Sequence, residues 1–272
     1  MAKVITFINM KGGVGKTTLA VNIAYTLVRE ENKKVLLIDM DPQMNATQYC
    51  LSMEQVEKIL YDKSISVYKI LSKEYKTNPL SDDNVKDEQN FILKSADSFD
   101  IISSSLDIMQ LPLAVSPFVL DKYIKHNLSD KYDLIMIDCP PTVSEYTKVS
   151  LLASDYYVVP MKTDPFALLG LPILQEYVNE TIIKDFNHKI DFLGIIMNLV
   201  VTNRILYKKY SAILKENYEI KIFPAELKQW EGISKAIENE RPYERFILNL
   251  DNDEAREQIK SITKQLRQRC EI

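Results

Sequence analysis

The chain has 272 residues, 46% hydrophobic and 26% charged, with a formal net charge of −4 at pH 7. These values are typical of a globular protein with an apolar core, and they exclude a protein that attracts nucleic acid through its overall charge. Two histidines and three widely separated cysteines give no spacing typical of a zinc site, and no apolar run is long enough to span a membrane. We therefore expect reduced thiols and a cytoplasmic location.

The first predicted element is a β-strand that leads into a glycine-rich loop. Residues 4–8 are mostly apolar and β-prone, and the stretch KGGVGKTT follows from Lys11 to Thr18. A helical pattern comes next, with apolar side chains at positions 20, 23, 24, 27 and 28. A glycine loop between a strand and a helix lets backbone N–H groups approach phosphate oxygens at the positive end of the helix. This context predicts a phosphate-binding loop, although a tight strand-to-helix turn that happens to contain lysine is the simpler alternative.

Each residue type in the loop has a chemical role in such a site. The Lys16 ammonium would reach the β- and γ-phosphates of a nucleotide, and the Thr17 hydroxyl would hold Mg²⁺. The residues that we expect to contact the nucleotide phosphates are Gly12, Gly13, Val14, Gly15, Lys16, Thr17 and Thr18.

Two later apolar runs end in aspartate. Residues 35–38 lead into Asp39 and Asp41, and residues 134–137 lead into Asp138. Carboxylates at the carboxyl ends of central strands lie where open α/β sheets bind their ligands. Asp138 is therefore predicted to support the Mg²⁺ shell, while the sequence from Asp41 onwards is also compatible with an ordinary turn.

Strands and helices alternate from residue 3 to about residue 224. This alternation predicts an α/β fold, a single doubly wound and mostly parallel sheet with helices on both faces, as one domain over residues 1–272. The interval 46–98 is less patterned and is predicted to contain two short helices and, between residues 78 and 89, a surface loop. The other elements are predicted as strands at 99–103, 156–160, 192–197 and 220–224, and as helices within 105–128, at 168–184 and at 252–268.

Three stretches resemble the deviant Walker A ATPases of the ParA/MinD group, and ParA/Soj-type partition ATPases in particular. KGGVGKT carries an extra lysine, Lys11, before the first glycine, as in the KGGxGK[ST] box of that group. DMDPQMNAT is similar to the DxDPQxNAT box, and YDLIMIDCPP is similar to the YDYxxIDCPP form. The resemblance covers nearly the whole chain and is strong in residues 1–48 and 131–172. It is weak in residues 50–95 and beyond residue 200.

The resemblance implies a slow, Mg²⁺-dependent ATPase that converts ATP to ADP and phosphate. ATP would bring two subunits together as a homodimer in which Lys11 reaches the partner's nucleotide. Asp41 would help hydrolysis by orienting the attacking water and would lie near the metal. The dimer would bind double-stranded DNA of any sequence on the nucleoid, and a ParB-like centromere-binding protein would stimulate hydrolysis and release it. The cargo would be a plasmid or a chromosome.

The resemblance also bears on the start of the chain and on the residues that contact adenine. The chain begins directly at the first strand, as in the short ParA type that has no N-terminal helix-turn-helix domain. Asn198 and Pro224 correspond to positions that hold adenine in the wider family, although either could simply cap a strand or form a turn.

The sequence gives only a weak signal for residues that contact DNA. Related ATPases often have a Pro-Arg-x-x-Arg turn, and the corresponding turn here keeps only the last positive charge, at Lys228. Arg204, Lys208 and Lys209 are further candidates, and ordinary solvated helix residues would show the same pattern.

Three other functions fit the sequence less well. A MinD-like, membrane-associated positioning ATPase would need an amphipathic C-terminal helix, but residues 254–269 contain only three large apolar side chains and no Phe or Trp. A non-enzymatic scaffold with an inactive loop is disfavoured by the intact set of Lys16, Thr17, Asp41 and Asp138. Nitrogenase-iron-protein chemistry is excluded because no cysteine lies where two subunits could share a cluster.

Overall fold

The computed structural model describes residues 1–72, 91–96, 98–111, 116–162, 165–202, 212–214, 216–217 and 221–272, with the backbone alone at 165–169. The strands of the described chain are β1 (Lys3–Phe7), β2 (Val35–Asp39), β3 (Ile92–Ser95), β4 (Phe99–Ile102), β5 (Leu134–Asp138), β6 (Tyr156–Met161), β7 (Asp191–Val200) and β8 (Leu227–Lys228). They form one sheet in the order β3-β4-β2-β5-β1-β6-β7-β8. Neighbouring strands are parallel except for the β3–β4 pair, so the predicted doubly wound sheet is confirmed.

Helices cover both faces of this sheet. They are α1 (Lys16–Glu31), α2 (Asn45–Cys50), α3 (Met53–Tyr61), α4 (Tyr68–Ser72), α5 (Val119–Asn127), α6 (Glu145–Leu152), α7 (Pro165–Tyr177), α8 (Glu231–Ala236) and α9 (Asp253–Cys270). Among the described residues, short 3-10 segments lie at Lys63–Ile65, Leu106–Gln110, Pro242–Arg245 and Ile247–Asn249, and a π-helical segment, Val178–Asp185, continues α7.

The central strands are buried on both faces, which explains why they are continuous apolar runs in the sequence. Successive side chains point to opposite faces, so Leu37 packs in the core with α1 and α9, and Ile38 packs in the core with α4 and α5. A third cluster joins β6 and β7 to α7. Parallel strands in this arrangement bring their carboxyl ends to one edge, where the phosphate loop and the strand-end aspartates lie.

The structure differs from the predicted elements at the β7 edge. Of the strand expected at 220–224, the structure describes residues 221–224, and these form a single bridge, between Ile195 and Ile222. The Arg269 guanidinium donates hydrogen bonds to the carbonyl oxygens of Leu193 and Ile222, both at 2.9 Å. These bonds occupy acceptors that a longer ladder would use, and Pro224 has no N–H to donate. The regular pairing therefore resumes only at β8.

Two further differences concern the interval before β5. The antiparallel edge strand β3 falls in the stretch that appeared less patterned in the sequence, and it turns tightly into β4 through Ala96 at φ 44°. The predicted helical stretch 105–128 contains a 3-10 segment and the separate helix α5. The predicted surface loop at 78–89 lies outside the described residues.

Candidate nucleotide-binding site

The predicted phosphate loop lies between β1 and α1 at the carboxyl edge of the sheet. Gly13 and Gly15 have φ values of 67° and 78°, in the left-handed region that glycine adopts at little cost. Helix α1 begins at Lys16 without a side-chain cap and without an acidic residue in its first turn. Its first N–H groups and the positive end of its dipole are therefore available to an anion.

The Lys16 side chain is held inside this loop. It is 7% exposed, and burial lowers the pKa of its ammonium, while the nearby carboxylates of Asp138 and Asp41 act in the opposite direction. A positive charge fixed beside a row of helical N–H groups is the arrangement that phosphate binding requires.

Thr17 and Asp138 join the loop to the next strand of the sheet. Thr17 Oγ1 donates a hydrogen bond to Asp138 Oδ2 at 2.6 Å. Asp138 is completely buried, and its Oδ1 has no partner among the described residues. Burial raises the pKa of Asp138 to about 7, although the bond from Thr17 and the charge of Lys16 oppose the shift.

This oxygen pair fits a Mg²⁺ ion. A hydroxyl and a carboxylate with an unused oxygen are hard ligands, and Mg²⁺ usually takes one or two such groups together with phosphate oxygens and waters. The described residues contain no cluster of three or more His, Cys, Asp or Glu that could hold a metal alone. A metal here would therefore depend on the nucleotide for its remaining ligands.

A second aspartate, Asp39, shapes the loop that follows β2. Asp39 is paired in register with Asp138 and is completely buried. Its carboxylate accepts bonds from Thr47 N at 2.8 Å, Thr47 Oγ1 at 2.7 Å and Asp41 N at 3.0 Å. Burial, with a further contribution from Asp138, raises the pKa of Asp39 to about 8 against these bonds. Asp39 thus braces the loop, and Asp41 lies two residues further on, 5% exposed, with its carboxylate bonded to Gln43 N at 3.0 Å.

Asn198 lies behind the phosphate loop. Its Nδ2 donates to the carbonyl oxygens of Val14 at 2.8 Å and Gly15 at 3.3 Å, and its Oδ1 has no partner among the described residues. A Cβ on Gly15 would lie 2.3 Å from Asn198 Nδ2, so this contact requires glycine at position 15. Asn198 therefore supports the loop directly, while its role at the adenine and that of the exposed Pro224 remain predictions.

The sequence reasoning missed Asn9, which fixes the start of the loop. Its Oδ1 accepts a bond from Lys11 N at 2.8 Å, and its Nδ2 donates to Pro160 O at 2.8 Å. The signal was a polar amide directly after the apolar strand, in a position that is buried at 6% exposure. Asn9 links the loop to β6 before the backbone turns at Lys11.

Of the four candidate DNA-contacting residues, the structure describes only Lys228. Lys228 Nζ forms an ion pair with Glu254, and its backbone N–H donates to Gln258 Oε1 at 3.0 Å. Arg204, Lys208 and Lys209 lie outside the described residues. The positive charge at Lys228 is therefore partly neutralised within its own chain.

Helix α9 packs on its own chain. Ile259, Ile262 and Leu266 are completely buried. On its basic face, Lys260 pairs with Glu30 at 3.2 Å. An amphipathic helix that binds a membrane surface keeps its apolar face available, so this arrangement weighs against the membrane alternative. Within the described residues, no helix is both long enough and apolar enough to cross a membrane.

The loop, its buried lysine, the Thr17–Asp138 pair and the parallel sheet define a P-loop nucleotide-binding protein. The comparisons with known proteins narrow this class: a family model described as an AAA domain matches residues 2–192. The chain is 30% identical over 221 residues to the chromosome-partitioning ATPase Soj of Thermus thermophilus, covering 80% of this chain and 78% of that protein. This chain belongs to the ParA/Soj family of partition ATPases.

Solved structures show the same relationship. A plasmid partition protein from Borrelia burgdorferi, solved with AMPPNP, matches with a TM-score of 0.77 and 28% identity, covering 98% of this chain and 100% of that chain. The pNOB8 ParA protein bound to nonspecific DNA matches with a TM-score of 0.67 and 25% identity, covering 100% of this chain and 99% of that chain.

Proposed function

We propose that this protein is a DNA-partition switch that holds DNA in its ATP-bound state and releases it after hydrolysis. The observation that carries the proposal is the Thr17–Asp138 pair directly behind the phosphate loop, at 2.6 Å, with one carboxylate oxygen of Asp138 unused. A protein that only binds phosphate does not need this second element, whereas phosphoryl transfer requires charge neutralisation at the β- and γ-phosphates.

The chain's own residues divide the work of hydrolysis. The α1 N–H groups and Lys16 bind the phosphates, and Thr17 and Asp138 hold Mg²⁺, which neutralises phosphate charge when bound. Asp41 orients the attacking water, and Asp39 and Thr47 keep its loop in place. Positioning and electrostatics supply most of the catalysis in this reaction, so turnover stays slow until all of these groups are in place, and the enzyme acts as a timed switch.

We further propose that the ATP-bound form is a homodimer. Lys11 would add its charge to the partner's nucleotide, while Asn198 and Pro224 would line the adenine. A dimer doubles the number of basic groups that a single acidic chain presents to DNA, which raises both affinity and salt dependence. A ParB-like centromere-binding protein would stimulate hydrolysis and so release the dimer from the nucleoid.

Fluorescence anisotropy tests the switch. Two labelled duplexes of unrelated sequence would be titrated with the protein in ATP and Mg²⁺, and again in ADP, over a salt series. We expect tight, sequence-independent binding with ATP only, and affinity that falls steeply with salt. Lys16→Ala is the control that should bind DNA equally weakly in both nucleotides. Equal affinity with ATP and ADP, or binding to lipid vesicles in place of DNA, would contradict the proposal.

A further inference from the structure

A buried arginine lies at the far end of helix α2, outside the nucleotide site. Arg245 is 5% exposed and belongs to the 3-10 segment Pro242–Arg245. Its guanidinium donates hydrogen bonds to five backbone carbonyl oxygens, those of Gln48 at 2.6 Å, Tyr49 at 3.2 Å, Leu51 at 3.0 Å, Asn239 at 2.8 Å and Glu240 at 3.3 Å.

No carboxylate pairs with this cation within the described part of the chain. Burial lowers the pKa of the Arg245 guanidinium, yet an arginine stays charged at neutral pH. A buried charge without a counter-ion is costly, and here the unpaired carbonyls at the negative end of α2 compensate it. Arg245 therefore fixes where α2 ends.

The other end of α2 holds the loop of Asp41. Met44 N donates to Asp41 O at 2.8 Å immediately before the helix begins, and Thr47 within the helix binds Asp39. Helix α2 has six residues, which is too short to be stable without tertiary contacts. The position of the Asp41 loop therefore depends on the contacts that anchor α2.

A second branch of the same cluster reaches the phosphate-loop helix. Tyr49 OH donates to Arg245 O at 2.7 Å, and Asn22 Nδ2 donates to Tyr49 OH at 3.0 Å and to Thr18 O at 2.8 Å. Asn22 Oδ1 accepts a bond from Ile247 N at 2.7 Å. These hydrogen bonds connect α1, α2 and the two 3-10 segments Pro242–Arg245 and Ile247–Asn249 into one polar cluster.

We infer that Arg245 is a positioning residue for hydrolysis. It holds α2, and therefore also the Asp41 loop, in place relative to the phosphate loop. The inference rests on the proposed role of Asp41 and adds a residue that does not contact the nucleotide. Loss of this anchor would displace Asp41 by about 1 Å, the scale at which catalysis is sensitive to position, while the phosphate contacts stay in place.

The test compares Arg245→Lys and Arg245→Met with Arg241→Met. Arg241 immediately precedes the same 3-10 segment, but its side chain is 71% exposed and its ion pair, with Glu244, is 3.6 Å long. We expect both Arg245 variants to lower kcat by about 10- to 100-fold, since a misplacement near 1 Å costs about that much. The dissociation constant for ATP should stay within about threefold, because the phosphate contacts are kept. Arg241→Met should match the wild type.

A merely structural role would give a different result. Such a role would lower the melting temperature of Arg245→Lys, measured by circular dichroism, and leave kcat per folded molecule unchanged. That outcome would overturn the inference. A second test measures the hydrolysis rate in the Asp41→Ala background. Adding Arg245→Lys there should lower the residual rate by less than about twofold. If Arg245→Lys lowers the rate of Asp41→Ala by the same factor as it lowers the wild-type rate, the inference is also overturned.

Tyr49→Phe covers the case in which the Arg245 variants do not fold. It removes one hydroxyl from the cluster and should lower kcat severalfold at constant ATP affinity, whereas an unchanged kcat would refute the inference. Wild-type and Asp41→Ala rates, measured alongside, separate the two proposals. A normal rate in Asp41→Ala would refute the proposed mechanism itself, while a slow Asp41→Ala with a normal Arg245→Lys would refute only the role of Arg245.

Discussion

Thr17 and Asp138 are 121 positions apart in the sequence, yet their side-chain oxygens lie 2.6 Å apart. Strand β5 is the direct neighbour of β1 in the sheet, so the end of β5 necessarily faces the start of α1. The pair therefore follows from the parallel topology, and it places a carboxylate beside the start of α1, where we propose that Mg²⁺ binds.

Asp138→Asn tests the metal role of this pair. The amide keeps the size of the side chain and can still accept the Thr17 bond, but it carries no charge. We expect the Mg²⁺ concentration needed for half-maximal ATP hydrolysis to rise by about 10- to 100-fold, while ADP binding in EDTA stays near the wild-type value. The exposed Asp130→Asn is the matched control. Unchanged Mg²⁺ dependence would remove Asp138 from the metal site.

Lys16→Ala tests the phosphate loop. The Lys16 side chain is buried within the loop. We expect ATP affinity to fall by about 100-fold or more in isothermal titration calorimetry, because a charge-assisted contact to phosphate is lost. Lys34→Ala, on the exposed stretch before β2, should bind ATP normally. Wild-type affinity in Lys16→Ala would show that the loop assignment is wrong.

Asp41→Ala should separate binding from hydrolysis. The substitution leaves Lys16 and the α1 N–H groups in place, so nucleotide affinity should persist, but the group that orients water is lost. We expect phosphate release to slow by about 100-fold or more. With ATP the variant should accumulate as a dimer, visible by multi-angle light scattering. Normal turnover would exclude Asp41 from the mechanism.

Lys11→Ala should affect only the dimer. Its backbone N–H is bonded to Asn9, and alanine keeps that bond, so the loop itself should retain its shape. We expect normal ATP binding by the monomer but no ATP-induced dimer in light scattering, since the charge opposite the partner's phosphates is missing. Asn9→Ala is an informative comparison because it should disturb the loop within the monomer. Dimerisation of Lys11→Ala at wild-type levels would contradict the sandwich arrangement.

The sequence predicted the parts of the site that are encoded locally. The glycine loop and the aspartates at 39 and 138 were found because each lies in a contiguous motif after an apolar run. Asn198 and Arg245 act through contacts 184 and 196 positions away, to Val14 and to Tyr49, and no local pattern encodes such contacts. The prediction of a strand at 220–224 was wrong for the same reason, because Arg269 from α9 donates to the Ile222 carbonyl oxygen, which a longer strand would use for pairing. Local chemistry was predictable, and long-range polar contacts were not.

The pairing of Lys228 with Glu254 gives a directional test of the DNA surface. A surface ion pair of this kind contributes about 0–1 kcal/mol, so its release costs little stability. If Lys228 contacts a phosphate, Glu254→Gln should raise DNA affinity severalfold at low salt. It should also steepen the salt dependence by about 0.9 in logarithmic slope per added contact. Lys228→Glu should have the opposite effect on every duplex sequence, because phosphates carry no sequence information.

Glu257→Gln is the control for the Glu254 experiment, since Glu257 lies one turn further along α9 with a 77% exposed side chain and a long 3.9 Å pair to Lys260. It removes the same charge from the same helix without releasing Lys228. Affinity measured by anisotropy in ATP should therefore rise more for Glu254→Gln than for Glu257→Gln, with the difference shrinking as salt screens both. Equal effects of the two variants would show that only net charge matters. The turn at Lys228 would then play no part in DNA binding, and Arg204, Lys208 and Lys209 would be the next candidates.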